Sequence, residues 1–458
     1  MRPTCLTAVT LSLRIDRKRR SASFWISSPP GSVVPDLPWL IVLLFLCYPI
    51  AKAQSKAEPL NLPQCIELAR NAPSTVRKAR EQLRSAQFGL RGAEANFLPQ
   101  ISVLNGFTYN SPLLYDRNQF SFVALNGVRE YSSVADTSLE LDTSGRLRAI
   151  YDLARADRAI AETGVVIGER DLRQAVAMSY YHVLLARKLL ASAEENQKAA
   201  HDFETKVRQL VNGGEASQAD LAQASVESAL LDQTAASMKI ESERANHELA
   251  SYWTSDVSTP LNLEEELDQP APPVPPAPGD QAYLRRPEFR LFTNQIAGFR
   301  ADARQARARM LPQLFLDFQY GIDSQQATSR NRGYMGAIRL NIPVFDFLRA
   351  YDQKRQFQSM ATEAQIDQSI GTRLLSKEYQ DALSEVKGLF PQIAITAQQV
   401  TDAKENLRLS RLRFEGGEGP ALAVVTAESA LVQSEINFYT TRANYLNALV
   451  ALKVASGE

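Results

Sequence analysis

The chain has 458 residues with 51 basic and 51 acidic side chains, so its formal net charge is zero. This balance argues against a nucleic-acid-binding protein, because contacts to phosphates need a surplus of Lys and Arg. Three His, three Cys and six Met leave few ligands for a metal enzyme, and we predict neither a metal nor a cofactor.

The N-terminal residues 1–53 are predicted to form a signal peptide with an unusually long start. A basic cluster at 17–20 precedes an apolar run at 39–48, and small residues at 51 and 53 provide a cleavage site. The run is too short for a membrane helix, which needs about twenty apolar residues. An uncleaved anchor is the alternative, although a proline and a lysine interrupt it. Lipid attachment at Cys47 fits poorly, because a bulky leucine precedes it.

The rest of the chain contains two copies of one plan. Residues 95–100 resemble 308–313, and residues 208–215 resemble 411–418, with Gly-Gly-Glu in both members of the second pair. A proline-rich segment between the copies favours extended backbone. We therefore predict three parts after the signal peptide: a first repeat over 54–268, a linker over 269–285 and a second repeat over 286–458.

Each repeat contains stretches in which apolar and polar side chains alternate over about ten residues. Strands of this length can span an outer membrane, although a strand of a soluble sandwich has the same pattern. The partner strand of the first repeat, near Leu139 and Leu141, has the weaker pattern. The alternating apolar residues are Ile101, Val103, Phe107 and Tyr109 in the first repeat, and Leu314, Leu316, Phe318, Tyr320, Ile322, Tyr334, Ile338, Leu340 and Ile342 in the second.

Very long helices are predicted in both repeats. No proline interrupts residues 146–211, which would form a helix of about 99 Å. The matching run, 346–415, would reach about 105 Å, with a kink or break at Pro391. Helices of this length are typical of a coiled coil, a solenoid or a tube. The other predicted helices cover 63–97, 217–253, 287–310 and 420–456.

The two returning helices carry seams with the spacing of a coiled coil, which predicts packing of that kind. The seam of the first repeat is the less apolar of the two. It comprises Ala222, Val226, Ala229, Gln233, Ala236, Ile240, Glu243 and His247. The seam of the second comprises Val425, Ser429, Val432, Ile436, Tyr439, Ala443, Leu446 and Val450.

Four strands in one chain cannot close a barrel. Every edge amide in hydrocarbon needs a partner, so open sheets are excluded there, and the smallest membrane barrels have eight strands. If these strands lie in a membrane, several copies of the chain must contribute them to one barrel. The sequence thus predicts a shared barrel on a long helical stem.

A series of motifs runs through residues 58–456 in a characteristic order. They are the opening pattern from Leu62 to Pro73 (with Ala72 shifting its spacing), Phe97-Leu98-Pro99, Arg286-Pro287-Glu288, 342–346, and a closing stretch from Phe414 to Leu449. In their order and spacing, these motifs resemble the outer-membrane efflux protein family, the TolC-like trimeric exit channels.

The resemblance implies a mainly α-helical fold with β-strands. Three copies would form a 12-stranded transmembrane β-barrel in the outer membrane and a helical barrel in the periplasm. The partners would be a periplasmic adaptor and an inner-membrane pump. The homotrimer would be the passive exit channel of a tripartite efflux or type I secretion system, carrying small molecules or proteins, and would have no catalytic residue.

The resemblance also places adaptor contacts and the closed end of the channel at the two Gly-Gly turns. Glycines also simply end helices, which accounts for much of this pattern. The residues concerned are Gly213, Gly214, Gly416 and Gly417 in the turns, with Leu210 and Phe414 on their approach.

The gate is less similar to that of the family. Asp220 stands where a family gate aspartate lies, but Gly419, Ala423 and Thr426 occupy the positions of the gate arginine and the acidic ring. That ring therefore cannot be transferred to this chain. Three nearby glutamates could form a substitute ring that binds cations, although exposed glutamates are usually only solvated. They are Glu215, Glu415 and Glu418.

Two other classes of protein fit the sequence less well. An enzyme lacks support, because the chain has no nucleophile elbow, no phosphate-binding glycine loop and no paired metal ligands, and its histidines are scattered. The alternative function is a membrane-anchored periplasmic coiled-coil protein with a structural or signalling role. It explains the long helices but leaves both strand pairs unexplained. The three histidines are His182, His201 and His247.

Overall fold

The structure is a computed structural model that describes residues 59–111, 114, 128–276, 279–344 and 347–458. The predicted signal peptide and Cys47 lie outside the described residues.

The first half of the chain has the order helix, helix, strand, strand, long helix, helix. Its elements are α1 (Leu62–Asn71), α2 (Thr75–Ala95), β1 (Gln100–Tyr109), β2 (Arg129–Leu141), α3 (Arg146–Gly213) and α4 (Gln218–Ala250). The second half has one helix before its strands. Its elements are α5 (Glu288–Ala308), β3 (Gln313–Ser324), β4 (Arg332–Asn341), α6 (Phe347–Glu415) and α7 (Ala421–Ala455). Short 3-10 helices cover Glu266–Asp268, Ala282–Arg285 and Ser329–Asn331.

Two helix predictions are wrong in detail. The helix expected over 63–97 is divided into α1 and α2, because Ala72 precedes Pro73 and has an extended backbone, with φ −71° and ψ 165°. At Pro391 a kink or a break is expected, and the break is absent, since α6 is one helix of 69 residues that contains Pro391. The neighbouring Leu389 and Ile393 pack into a hydrophobic cluster, so packing holds the helix where a backbone hydrogen bond is lost.

The strands form one antiparallel sheet in the order β1-β2-β3-β4. The register pairs Ile101 with Thr137, Leu139 with Leu316, and Leu316 with Ile338. The weakly patterned strand β2 is 13 residues long and pairs with both β1 and β3. Its central position in the sheet compensates for its weak alternation.

The long helices form two hairpins, α3–α4 and α6–α7, which pack together mainly through α3 and α7. The apolar side chains form three separate clusters along this stem, around Tyr180, around Phe203 and around Tyr379. No helix in the described ranges is both long enough and apolar enough to cross a membrane.

The seam predicted along α7 is only partly buried. Val425 and Ala443 are buried, Ser429 is exposed, and the other seam residues lie between these extremes. The helix contacts α6, α3 and α4 and therefore packs on more than one face, which a single seam does not describe.

A buried ionic network joins the two halves at the start of α5. Glu288 accepts hydrogen bonds from Arg170 (3.0 Å) and Arg286 (2.8 Å), and Arg286 also bonds Glu378 at 2.6 Å. Burial alone would raise the pKa of Glu288, but the two guanidinium groups outweigh it and lower the pKa to about 2. The carboxylate therefore stays charged and fixes α5 against α3.

Candidate functional site: the helical tips and the sheet

The α3–α4 hairpin ends in a turn fixed by two backbone hydrogen bonds. The amide of Gly214 donates to the carbonyl of Val211 (3.1 Å), and that of Glu215 donates to the carbonyl of Leu210 (2.8 Å). Gly214 has a φ of 77°, a left-handed conformation that favours glycine. This is a Schellman motif, which satisfies carbonyls at the end of a helix.

The α6–α7 hairpin ends in the same motif. The amide of Gly417 donates to the carbonyl of Phe414 (3.0 Å), and that of Glu418 donates to the carbonyl of Arg413 (2.9 Å). Gly417 has a φ of 74°, whereas Gly416 has no positive φ. The repeated Gly-Gly-Glu sequence thus encodes the same exposed turn twice, and the backbone requires only the second glycine of each pair.

Asp220 links the two hairpins. Its carboxylate accepts a hydrogen bond from the amide of Ser217 (3.1 Å), and its own amide donates one to the Ser217 hydroxyl (3.1 Å), which together form a capping box at the start of α4. The Ser217 hydroxyl also donates to the carboxylate (2.6 Å). The other carboxylate oxygen accepts a bond from the amide of Ala421, at the start of α7, at 3.3 Å. These hydrogen bonds lower the pKa of Asp220, and the bond from the Ser217 hydroxyl has the largest effect. The carboxylate thus caps α4 and also contacts α7.

The approach to the turns is a shallow groove between α3 and α6, about 240 Å³ in volume. Phe414 is buried and packs edge-on against Phe203, with ring centroids 5.2 Å apart. Leu210 is half-buried and packs against the same cluster. Lys206 of α3 bridges the groove to Glu415 of α6 through an ion pair. The predicted tip residues therefore lie together at one end of the stem.

The three candidate gate glutamates are all exposed, but only one has a basic partner. Glu415 pairs with Lys206, whereas Glu215 and Glu418 have no ion pair with any described residue. An acidic ring would need copies of these side chains from other chains. The ring stays a prediction.

Sequence reasoning missed a buried acidic pair just above the tips. Glu227 of α4 is 8% exposed and Glu428 of α7 is 4% exposed. Arg411 donates a hydrogen bond to Glu428 (2.6 Å), and the Ser429 hydroxyl donates one to Glu227 (3.0 Å). Burial raises the pKa of Glu428, Arg411 lowers it, and the charge of Glu227 raises it further, so the net direction is upward. The signal in the sequence was Glu-Ser-Ala-Leu, repeated at 227–230 and 428–431.

The opposite end of the molecule is the sheet, whose two faces differ. On one face Asp317 accepts hydrogen bonds from Ser138 (2.6 Å) and Arg339 (3.0 Å), and Gln319 donates one to Asp136 (2.8 Å). The other face is apolar and exposed, as a surface in contact with lipid would be. It presents Ile101, Val103, Phe107, Tyr109, Phe318, Tyr320, Tyr334, Ile338 and Leu340.

Within the described part of the chain, no group of three or more His, Cys, Asp or Glu side chains is arranged to hold a metal ion. The buried thiol of Cys65 is free.

The chain is similar to known outer-membrane proteins. The family model for outer membrane efflux proteins matches residues 65–254 and 279–458. The pyoverdine export outer membrane protein OpmQ of Pseudomonas aeruginosa is 24% identical over 388 residues, covering 82% of this chain and 80% of OpmQ. The toluene efflux pump outer membrane protein TtgF of Pseudomonas putida is 26% identical over 349 residues, covering 72% of this chain and 69% of TtgF.

The fold is similar to that of solved channels. The open state of the MtrE outer membrane channel of Neisseria gonorrhoeae superposes with a TM-score of 0.75 at 19% sequence identity. The superposition covers 86% of this chain and 88% of MtrE. The long helical stem and the small sheet therefore form a fold that solved outer-membrane channels share.

Proposed function

This chain belongs to the outer membrane efflux protein family, and on that premise we propose that three copies form one channel together with a periplasmic adaptor and an inner-membrane pump. It is an efflux channel of the outer membrane, and the proteins that resemble it are channel proteins. The single observation that carries the assembly is the sheet, which has one exposed apolar face and two edges.

The sheet edges support the pooling of strands. In the described chain β1 pairs only with β2, and β4 pairs only with β3. Unpaired edge amides are very costly in hydrocarbon, so each edge strand needs a partner from another copy. Three copies of this four-stranded sheet give a closed barrel of twelve strands. The polar face around Asp317 would then line the pore.

The helical stem supports the same assembly. Val226 and Ile240 of the predicted α4 seam, and Ile395 and Leu409 of α6, are between 45% and 62% exposed. Val226 lies eight residues from the tip end of α4 and Leu409 six residues from the tip end of α6. Ile240 and Ile395 lie 22 and 20 residues from those ends. Matched apolar positions at two depths fit α4 of one copy packing against α6 of the next.

Cysteine crosslinking tests this arrangement. The pairs Val226→Cys with Leu409→Cys, and Ile240→Cys with Ile395→Cys, should form disulfides between copies in oxidised membranes. The mismatched pair Ile240→Cys with Leu409→Cys is the control, because its positions differ in depth by about 24 Å along the helices. We expect a ladder that ends at three copies for the matched pairs. Equal crosslinking of the mismatched pair, or a ladder that continues past three, would contradict the proposal.

The two Gly-Gly turns are the proposed adaptor contacts. They are exposed, they lie at the end of the stem opposite the sheet, and the groove beside them contains both apolar and charged side chains. The cargo is proposed to be small molecules, because the names of the relatives specify pyoverdine and toluene. The division into a first repeat ending at 268 and a second beginning at 286 is proposed from the proline-rich composition of the segment between them.

The acidic ring is proposed to make the periplasmic entrance selective for cations. Replacing Glu215 and Glu418 by Gln should lower the cation-over-anion permeability ratio in planar bilayers, because the two carboxylates have no basic partner among the described residues. Glu415→Gln should have the smaller effect, since its charge is already balanced by Lys206. An unchanged permeability ratio in the Glu215/Glu418 double variant would contradict the acidic ring.

A further inference from the structure

The upper end of the stem, next to the sheet, contains a basic groove between α5 and α6. Its volume is about 480 Å³. Arg300, Arg304 and Arg307 line it from α5, and Lys354 lines it from α6. The remaining described lining residues are neutral, so the groove contains four cationic groups and no carboxylate.

Three of these four cations have no acidic partner among the described residues. Arg304 pairs with Asp152 of α3 at 2.7 Å, but no ion pair involves Arg300, Arg307 or Lys354. The nearest acidic residue along α5, Asp302, faces Asp157 on the other side of the helix. A groove that concentrates positive charge without neutralising it is a site for an anion.

The basic surface continues toward the sheet. A second cavity, of about 260 Å³, contains Arg309 and Arg349 between the groove and the strand ends, again with no carboxylate among its described lining residues. Arg307 lies six residues before β3, and Lys354 lies thirteen residues after β4. The positive charge therefore lies just outside the segment that crosses the membrane.

Aromatic residues lie on the same side of α6 as the groove. Phe347 and Tyr351 are exposed, and their rings stack with centroids 6.5 Å apart. They are separated by one helical turn and lie in the first turns of α6, the helix that follows β4. Lys354 and Gln358 follow Tyr351 at spacings of three and seven residues, so they lie on the same helix face. Aromatic side chains at the membrane interface followed by cations on the aqueous side form a surface suited to a lipid, with its chains by the rings and its phosphate by the cations.

We propose that the α5–α6 groove binds the headgroup of an anionic phospholipid from the periplasmic leaflet of the outer membrane. The phosphate contacts Arg300, Arg307 and Lys354, and Gln358 and Thr362 are the neutral hydrogen-bonding groups beside it. The site rests on the sheet lying in the membrane and does not depend on any partner of the channel.

Native mass spectrometry of the detergent-purified protein tests this site. The probes are dihexanoyl phosphatidylglycerol, dihexanoyl phosphatidylcholine and inorganic phosphate. The variant Arg300→Gln/Arg307→Gln/Lys354→Gln removes the three unpaired cations. The matched control, Lys239→Gln/Arg373→Gln/Lys387→Gln, removes three exposed cations that lie outside the groove and have no ion pair among the described residues.

We expect wild-type protein and the control variant to bind phosphatidylglycerol about tenfold more tightly than phosphatidylcholine, and the groove variant to lose this preference. Equal binding of the two lipids by wild type, or equal loss of the preference in the control variant, would overturn the site. Inorganic phosphate that binds as tightly as phosphatidylglycerol would show a site for free phosphate and overturn the lipid assignment. Conductance of the wild-type preparation, measured separately, tests the channel itself.

Discussion

The two tips of the stem have the same turn but different helix starts. Both turns are Schellman motifs with the second glycine at positive φ. The helix after the first turn, α4, has its own capping box of Ser217 and Asp220. The helix after the second turn, α7, starts behind Pro420 without a side-chain cap of its own, and its first amide bonds Asp220 of the other hairpin.

This difference shows how two similar sequences come to act as one unit. The turns are local, so each repeat encodes its own. Two contacts, by contrast, join the hairpins. Asp220 of α4 accepts a hydrogen bond from the start of α7, and Ser429 of α7 donates one to Glu227 of α4. The ordering of one tip therefore depends on the other.

Arg411→Ala should have the largest effect. It leaves the carboxylate of Glu428 buried without its guanidinium partner, and we expect the free energy of local opening of α6–α7 near the tip to fall by about 3 kcal/mol. Hydrogen exchange of amides in these helices measures this. Replacing Arg411 and Glu428 together by Met should restore most of the protection, because it removes the buried carboxylate of Glu428 together with its partner.

The matched control is Arg408→Ala, which breaks an exposed pair with Glu405 three residues away. Its effect on the protection should be much smaller, because water and salt screen an exposed pair. Equal effects of the Arg411 and Arg408 substitutions would mean that burial of Glu428 is unimportant for the tip.

Asp220→Ala should have the next largest effect and should reach both hairpins. It removes the capping box of α4 and the bond to the start of α7, at a cost of about 1–2 kcal/mol. Ser217→Ala is the comparison, since it removes only the α4 cap. We expect faster hydrogen exchange at the starts of both α4 and α7 in the Asp220 variant, and at α4 alone in the Ser217 variant. Faster exchange confined to the start of α4 in both variants would disprove the link between hairpins.

The same link should depend on pH. The hydrogen bond from Ser217 is the main cause of the lowered pKa of Asp220. The carboxylate therefore contributes stability that is fully present above its ordinary pKa of 3.8 and is lost as the pH falls through the lower folded value. Exchange protection at the starts of α4 and α7, followed from pH 6 downward, should fall in the wild type and stay flat in Asp220→Ala.

The smallest effects are expected at the glycines, where the two tips should behave alike. Gly214→Ala and Gly417→Ala should each cost about 1 kcal/mol, because alanine is disfavoured at positive φ. Gly213→Ala and Gly416→Ala should be nearly neutral, since neither residue has positive φ and an added Cβ meets no severe contact. Thermal unfolding of the four variants measures this. Equal destabilisation by all four would contradict the assignment of the glycine requirement to the second residue of each pair.

Local patterns predicted most of the fold. Period-two alternation predicted β1, β3 and β4, and the proline-free run of residues 146–211 predicted α3 to within two residues. Pro73 lies at a break between two helices, whereas α6 continues through Pro391. The difference arises because α6 is much longer and packs against its neighbours on both sides of the proline. The sequence indicates where a proline is, but not what packs around it.

The site was less predictable, because its contacts join residues about two hundred positions apart. The turn glycines follow from local sequence, and they lie in the turns that end the two helical hairpins. The bond from Ala421 to Asp220 and the burial of Glu428 depend on how α4 meets α7. No periodicity within one helix specifies that arrangement.

The shared barrel can be tested by purifying the protein from outer membranes in detergent and measuring its oligomeric mass together with single-channel conductance in planar bilayers. We expect a complex of three copies that conducts ions. A monomer without conductance would contradict the shared barrel and favour the structural coiled-coil function instead.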